Sequence, residues 1–225
     1  GIKEHIRFLT RVVDIDWQSG KHYWRVTLKS EESGQHEHIA ARWIFNASGY
    51  YRYDKGYAPH FKGQSQFNGQ IVHPQHWPED LEYENKRVVV IGSGATAVTL
   101  VPALAKSASH VTMLQRTPSY VLPVPVDDPI AKQLRAWFSE DTAFKAARWF
   151  NIAKQRWVYA FCQRFPHRAR KIIRSLNAKM LPEGYPVDIH FNPPYNPWEQ
   201  RLCAVPGGDL FESISKGKTS VATDT

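Results

Sequence analysis

Val88 to Ile91 are four branched apolar residues in succession. Gly92, Ser93, Gly94, Ala95, Thr96 and Ala97 follow at once, and an apolar stretch then continues to about Ala108. An unbroken branched run predicts a strand buried on both faces, as in a parallel sheet. The glycines demand an abrupt turn, and the stretch from Thr96 onward reads as a helix. A strand, a tight turn and a helix in that order commit the chain to an α/β layout. Gly92-x-Gly94-x-x-Ala97 also has the spacing of a dinucleotide-binding turn. In that motif the first glycine permits the turn, and the second lets the backbone approach a pyrophosphate. The small third residue keeps the helix against the strand, and N–H groups around Ser93, Ala95 and Thr96 donate to phosphate. The same spacing arises by chance at ordinary strand-to-helix turns, so the strand before and the helix after are what give it weight.

A second strand is predicted over His110 to Leu114, followed by Gln115, Arg116 and Thr117. A site for NAD usually carries an acid at this strand end, which bonds the ribose 2′-hydroxyl. Here no Asp or Glu occurs between Ala97 and Val126, and Arg116 stands in that place with the Thr117 hydroxyl beside it. A guanidinium fork matches a phosphate, so the site is expected to prefer NADP(H) over NAD(H). The alternative is a solvated arginine at a strand end.

The 225 residues suffice for one large domain or two small ones. A hydrophobic share of 42% and an aromatic share of 13% exclude a disordered chain. Cys162 and Cys203 are the two cysteines; they give neither a disulfide framework nor a metal spacing and fit a reducing, cytoplasmic setting. No apolar run approaches the roughly 20 residues of a membrane span. The chain opens at Gly1 without a methionine and stops after a strand-like run from Thr219 to Thr223, which reads as a piece of a longer protein.

Residues 1–49 alternate like strands at Ile6 to Phe8, Arg11 to Ile15 and Tyr23 to Leu28. Ile39 to Phe45 then reads as a buried strand ending at Asn46 to Tyr50. Residues 50–85 are rich in Tyr, Pro, Gly and His without helical period, and read as an ordered linker. His73 and His76 have the spacing of half a metal site, but no further ligand joins them, so no metal is expected.

The net charge of +8 belongs to one segment, because twelve Lys or Arg residues lie between Lys132 and Lys179 against only Glu140 and Asp141. Helices are predicted over Ile130 to Phe138, Phe144 to Phe165 and Arg168 to Leu181, with aromatics recurring near helical spacing among the basic residues. The leading reading is an amphipathic insertion at about 129–182 that packs its aromatic face on the domain. The second is a peripheral membrane face. No nucleic-acid reading module accompanies the charge, so no nucleic-acid partner is expected. Residues 183–200, with their many prolines, read as an extended connector leading to Gln200, Arg201 and Leu202. A short helix from about Asp209 to Ser215 and a last strand follow.

Phe67, Gly69, His73, Trp77 and Pro78 stand in the spacing Phe-x-Gly-x-x-x-His-x-x-x-Trp-Pro, directly ahead of the glycine turn. This resembles the fingerprint of type I Baeyer–Villiger monooxygenases, a branch of the flavin-containing monooxygenases in which it also precedes the second dinucleotide motif. The longer runs from His73 through Leu104 to Arg116, and from Tyr195 to Phe211, are similar to the ethionamide-activating mycobacterial members. The resemblance covers essentially the whole chain. It implies an α/β fold: a Rossmann-like NADP-binding domain with a parallel sheet and a helical insertion over 86–225, plus a β-meander at 1–49 belonging to the FAD domain. Residues 50–85 would be the linker carrying the fingerprint.

The resemblance further implies that NADPH reduces FAD and that O₂ then forms a C4a-peroxyflavin. Oxygen passes to a ketone, a sulfide or a thioamide. The family's catalytic arginine, which stabilises the anionic peroxyflavin and holds the nicotinamide, maps onto Arg201 in its Gln-Arg-Leu context. A salt bridge to a neighbouring acid is the alternative use of Arg201. Many relatives carry a lysine just before this arginine, where this chain has Gln200, so NADPH selectivity rests more on Arg116. His73 and Trp77 are expected to couple domains. The family's FAD motif lies upstream of anything in residues 1–85, so this chain alone is expected to be inactive. The competing readings are a flavin N- or S-monooxygenase, an NADPH:flavin oxidoreductase, or a basic membrane-surface or nucleic-acid-binding module.

Overall fold

The structure, a computed structural model, describes residues 1–49 and 54–224. Tyr50, the last residue of the expected strand end, and residues 51–53 of the expected linker lie outside them, as does Thr225. The chain divides into two compact units, Gly1–Gln75 and His76–Thr225.

In the second unit, β4 (Arg87–Ile91), β5 (His110–Gln115) and β8 (Thr219–Thr223) form a parallel sheet in the order β4-β5-β8. Val89 lies opposite Thr112 and Thr112 opposite Ser220, which fixes the register of all three. Between β4 and β5 runs α1 (Ala95–Leu104), whose Val98, Val101 and Leu104 are buried against the sheet. Val111, Met113, Leu210, Phe211 and Phe191 complete this core. Phe191 and Phe211 meet at a ring separation of 5.3 Å, tilted by 57°.

The two faces of β4 differ. Val88 and Val90 pack against the core, whereas Val89 and Ile91 are each 59% exposed. The expectation of a strand buried on both faces is therefore corrected. β4 is an edge strand, and its outward residues have no layer above them among the described residues.

A further parallel pair joins β6 (Tyr120–Val124) to β7 (Leu202–Pro206), with Tyr120 opposite Leu202. Pro123 and Pro206 sit inside these strands. A two-stranded sheet has only edges, so a missing N–H is tolerated there. Between them lie α2 (Pro129–Trp137), α3 (Glu140–Arg164) and α4 (Pro166–Met180). Asp128 caps α2 by accepting from the N–H groups of Ile130 and Ala131, and Pro166 opens α4 at a position where a proline costs the helix nothing. The expected connector is not extended throughout, because Val187–His190 forms a helical turn, α5. α6 (Asp209–Ser215) then leads to β8.

The aromatic face of the insertion does not pack on the domain. The buried residues of α3 are the small ones, Ala143, Ala147 and Cys162, while Trp137, Trp149 and Trp157 point outward at 82%, 71% and 67% exposure. Small residues let α3 approach its neighbours closely, and the bulky rings are left on the far side.

In the first unit, β1 (Thr10–Gln18), β2 (Tyr23–Ser30) and β3 (His36–Ala41) form an antiparallel meander, with a bulge between Val12 and Asp14. Trp17 lies directly opposite Trp24, with ring centroids 5.1 Å apart. Among the described residues of this unit, only Val26 and Leu28 are buried. Ion pairs Arg7–Glu37, Arg11–Glu31 and Arg25–Asp16 decorate the surface, and such exposed pairs contribute at most about 1 kcal/mol each. Residues Ile2–His5 form a 3₁₀ turn, and Ile6 to Phe8, where the sequence suggested a strand, form none: the first strand begins at Thr10. The expected buried strand over Ile39 to Phe45 ends at Ala41, and Trp43 and Phe45 are exposed.

The difference between the two faces of β4 has a measurable consequence. Phe211→Ala, at a fully buried position, should cost about 3–5 kcal/mol in urea unfolding. Val89→Thr keeps the branched β-carbon on the open face and should change stability by less than about 0.5 kcal/mol. A multi-kcal loss at Val89 would mean that the outer face is buried.

Candidate functional site

The glycine turn lies where β4 ends and α1 begins. Gly92 has φ +135°, a region closed to side chains, and its N–H donates to the Leu114 carbonyl at 2.8 Å. A Cβ placed on Gly92 would meet only the Ala97 Cβ, at 4.0 Å, which is ordinary contact. Glycine is required at 92 by its backbone angle, while the buried Ala97 is what sits beside it across the turn. The Ser93 hydroxyl is buried. It donates to the Thr117 carbonyl at 3.0 Å and lies 3.1 Å from the Ser119 hydroxyl. Ser93 therefore spends its side chain on tying the turn to the segment after β5, and offers a ligand only its main chain.

Gly94 is the N-cap of α1 and, having no side chain, leaves the N–H groups of Ala95, Thr96 and Ala97 without a side-chain cap. No acid stands in the first turn. The positive end of the helix dipole is thus neither capped nor neutralised, the condition for anion binding. Thr99 spends its hydroxyl on the Ala95 carbonyl at 2.9 Å.

Arg201 comes to this point from the start of β7. Its Nη1 lies 3.3 Å from the position a Cβ on Gly94 would take. Arg201, Leu202, Cys203 and Ala204 line one side of a cavity of about 220 Å³, and Ala95, Val98 and Thr99 of α1 line the other. The two residues are more than a hundred positions apart in sequence, and the fold sets one over the other. The Arg201 guanidinium is exposed and makes no ion pair or hydrogen bond among the described residues. The salt-bridge alternative has no partner there. Burial raises the Cys203 thiol pKa while the Arg201 charge opposes it, so this cavity-lining sulfur stays protonated at neutral pH.

Arg116 and Thr117 are exposed just beyond β5, and Arg116 has no partner among the described residues. Gln115 turns the other way: its amide donates to the His190 carbonyl at 2.8 Å and to the Thr223 hydroxyl at 2.9 Å. The remaining predicted residues divide between the units. In the first, Phe67 is exposed with its ring over Gly69, where any Cβ would collide with it, and the His73 ring covers Gly56 in the same way. His73 Nδ1 accepts from the Gln75 N–H at 3.2 Å. In the second, Trp77 stands edge-on to Tyr83 at 6.2 Å, and the Pro78 carbonyl accepts from Leu81. Among the described residues no three His, Cys, Asp or Glu side chains converge on a metal position, and no helix is long and apolar enough to cross a membrane.

Sequence reasoning missed the strand pair β6–β7, and with it Leu202, Cys203 and Ala204 as cavity walls. Pro123, Pro125 and Pro206 mask these strands, since proline argues against a strand unless every strand is an edge.

The family model described as flavin-binding monooxygenase-like matches residues 1–137. The chain is 53% identical over 226 residues to the FAD-containing monooxygenase EthA of Mycobacterium tuberculosis, covering 100% of this chain and 46% of that protein. It is 46% identical to EthA of Mycolicibacterium smegmatis, with the same coverage of both. The chain thus spans about half the length of the curated relatives it matches. Among solved structures, cyclohexanone monooxygenase from Rhodococcus sp. Phi1 bound to NADP+ superposes with a TM-score of 0.65 at 21% identity, over 99% of this chain and 47% of that one. Oxidized steroid monooxygenase bound to NADP gives 0.70 at 20%, over 98% and 47%. At these identities the likeness establishes the fold.

The two glycines of the turn should respond differently to substitution. Gly92→Ala forces a side chain into a forbidden backbone angle and should destabilise by about 1–3 kcal/mol. Gly94→Ala has an ordinary φ of −81° and meets only the tip of a flexible arginine, so it should leave the melting temperature within a degree or two. Thermal unfolding of both variants checks this, and equal losses would refute the distinction.

Proposed function

The chain belongs to the flavin-binding monooxygenase-like family, and on that premise we propose that it is the NADPH-binding portion of an FAD-dependent monooxygenase of Baeyer–Villiger type. The whole protein would use O₂ to oxidise a ketone, a sulfide or a thioamide. One observation carries the reading: an unpaired guanidinium, Arg201, stands over Gly94 at the uncapped N-terminus of α1.

These residues fit a nicotinamide dinucleotide. The open α-carbon of Gly94 and the free N–H groups of α1 suit a pyrophosphate, which needs close backbone approach and positive potential. Arg116, just past the end of β5, suits a 2′-phosphate through its fork of donors. Thr117 adds a hydroxyl beside it, while Ala97 keeps α1 tight against the turn. Bound there, the dinucleotide supplies a hydride. Arg201 contributes a permanent positive charge with fixed donors at the mouth of the cavity, which stabilises anionic groups held in a site of low polarity. FAD finds no comparable cradle in Gly1–Gln75, where the described residues form three antiparallel strands and short 3₁₀ turns. Flavin binding is therefore assigned to the part of the protein that the longer relatives possess beyond this span. The boundary between the two compact units falls inside the Phe67–Pro78 fingerprint, and the coupling role of His73 and Trp77 rests on the resemblance of that fingerprint alone.

The basic segment suggests a second, separate contact. Trp137, Trp149 and Trp157 are exposed on helices that carry twelve Lys or Arg residues between 132 and 179, a combination suited to the interface of an anionic membrane. The chain should co-sediment with phosphatidylserine-containing vesicles in 50 mM salt and be released in 500 mM. Failure to bind at low salt would remove the membrane from the proposal.

For the nucleotide site, Arg116→Ala should weaken NADPH by about tenfold or more and leave NADH within about twofold, because it removes only the phosphate's partner. Calorimetric titration of both cofactors reads this directly. Equal losses would take Arg116 out of the 2′-phosphate site.

A further inference from the structure

Arg201 has no ion pair to aim it, and yet it stands at a definite place. The main chain beneath it explains why. The Tyr195 hydroxyl donates to the Arg201 carbonyl at 3.2 Å. The Tyr195 carbonyl in turn accepts from the Tyr120 hydroxyl at 2.6 Å, and the two rings meet edge-on at 5.4 Å. Tyr120 is 1% exposed and directly follows Ser119, whose hydroxyl lies 3.1 Å from that of Ser93 in the glycine turn. β6–β7 pairing places Leu202 opposite Tyr120 and closes the circuit. The path therefore runs from the turn through Ser93, Ser119, Tyr120 and Tyr195 to Arg201, and back across the cavity to Gly94.

The intervening loop is held with unusual thoroughness. Glu199 accepts from the Asn196 main-chain N–H and side-chain amide at 2.8 and 2.7 Å. Arg170 donates to the Asn192 side chain and the Pro193 carbonyl. Trp198 keeps a left-handed backbone at φ +73°, a strained conformation for a bulky residue that persists only where its surroundings impose it. Its ring stands edge-on to Tyr159 at 6.0 Å.

We propose that Tyr195, seated by Tyr120, is a positioning residue for Arg201: it fixes the arginine's main chain so that the guanidinium stays over Gly94 with all its donors free for the dinucleotide. This rests on the reading of Arg201 given above. The positioning acts through the backbone, and neither tyrosine touches the ligand.

The test uses the 225-residue chain with Tyr195→Phe, Arg201→Ala and the double variant, each titrated calorimetrically with NADP+. Side-chain ¹⁵N relaxation at Arg201 Nε is measured in parallel, without nucleotide. Tyr195→Phe keeps the ring against Tyr120 and removes one hydrogen bond. It should weaken NADP+ about fivefold in the wild-type background, with less than about 1.5-fold further loss when Arg201 is already alanine. Arg201 Nε should become measurably more mobile at unchanged melting temperature. The same factor in both backgrounds would mean a structural role only and would overturn the proposal. Unchanged Nε mobility would overturn it whatever the nucleotide affinity. If Arg201→Ala alone leaves NADP+ affinity intact, the reading of Arg201 itself fails, and the positioning role with it. Tyr120→Phe substitutes for Tyr195→Phe if that variant folds poorly, with the same expected and overturning results.

Discussion

A single backbone angle, φ +135° at Gly92, holds this site together. It ends β4, starts α1 within three residues, and directs the Gly92 N–H to Leu114 of the next strand. Because the helix begins so abruptly, its first N–H groups emerge at the carboxyl end of the sheet. Sheets of this type present ligands there, since every strand-to-helix connection opens on that side. The Ser93 hydroxyl then bonds to Thr117 and Ser119, so the turn also sets where the chain goes after β5. Arg116 and the start of β6 take their places from that bond.

What the sequence made legible was local. The glycine spacing, the helix breaks near Ser139 and Pro166, the helix at Asp209 and the strand at Thr219 all depend on neighbours within a few positions. What it hid depends on other layers. A run such as Val88 to Ile91 has the same composition whether one face or two is covered, and only the sheet's edge position separates the cases. Ile39 to Phe45 looks like a strand because its residues favour one, yet a strand needs a partner beyond Ala41, and none of the described residues supplies it. In α3 the aromatics drew attention at helical spacing, but the buried stripe is Ala143, Ala147 and Cys162. Periodicity finds a face without saying which way it points.

Charge is distributed in the same divided way. Ion pairs such as Arg174–Asp188 at 2.6 Å and Lys216–Glu212 at 2.6 Å lie on exposed surfaces. In the first pair the Arg174 guanidinium grips Asp188 with two bonds and holds its carboxyl below the usual range. An arginine in such a grip has its fork filled. Arg116 and Arg201, at the two places where the dinucleotide reading needs cations, carry no ion pair among the described residues, as is also true of Arg135 and Arg148 on the basic helices. Their availability follows from local composition: no Asp or Glu lies between Ala97 and Val126, and the Glu199 carboxylate near Arg201 is already engaged by Asn196.

The same comparison explains why a cation of this kind is better aimed through its main chain than through its head. A carboxylate partner would orient Arg201 but would also offset its charge and occupy the donors that the dinucleotide reading assigns to an incoming anion. A bond to the Arg201 carbonyl costs the guanidinium nothing. Tyr195 can supply that bond because its ring is itself fixed against Tyr120, whose hydroxyl burial strengthens the preference for a neutral donor by raising its pKa. Precision is thereby achieved in the backbone and reactivity preserved in the side chain, a division of labour that requires the long, proline-braced loop between α5 and β7.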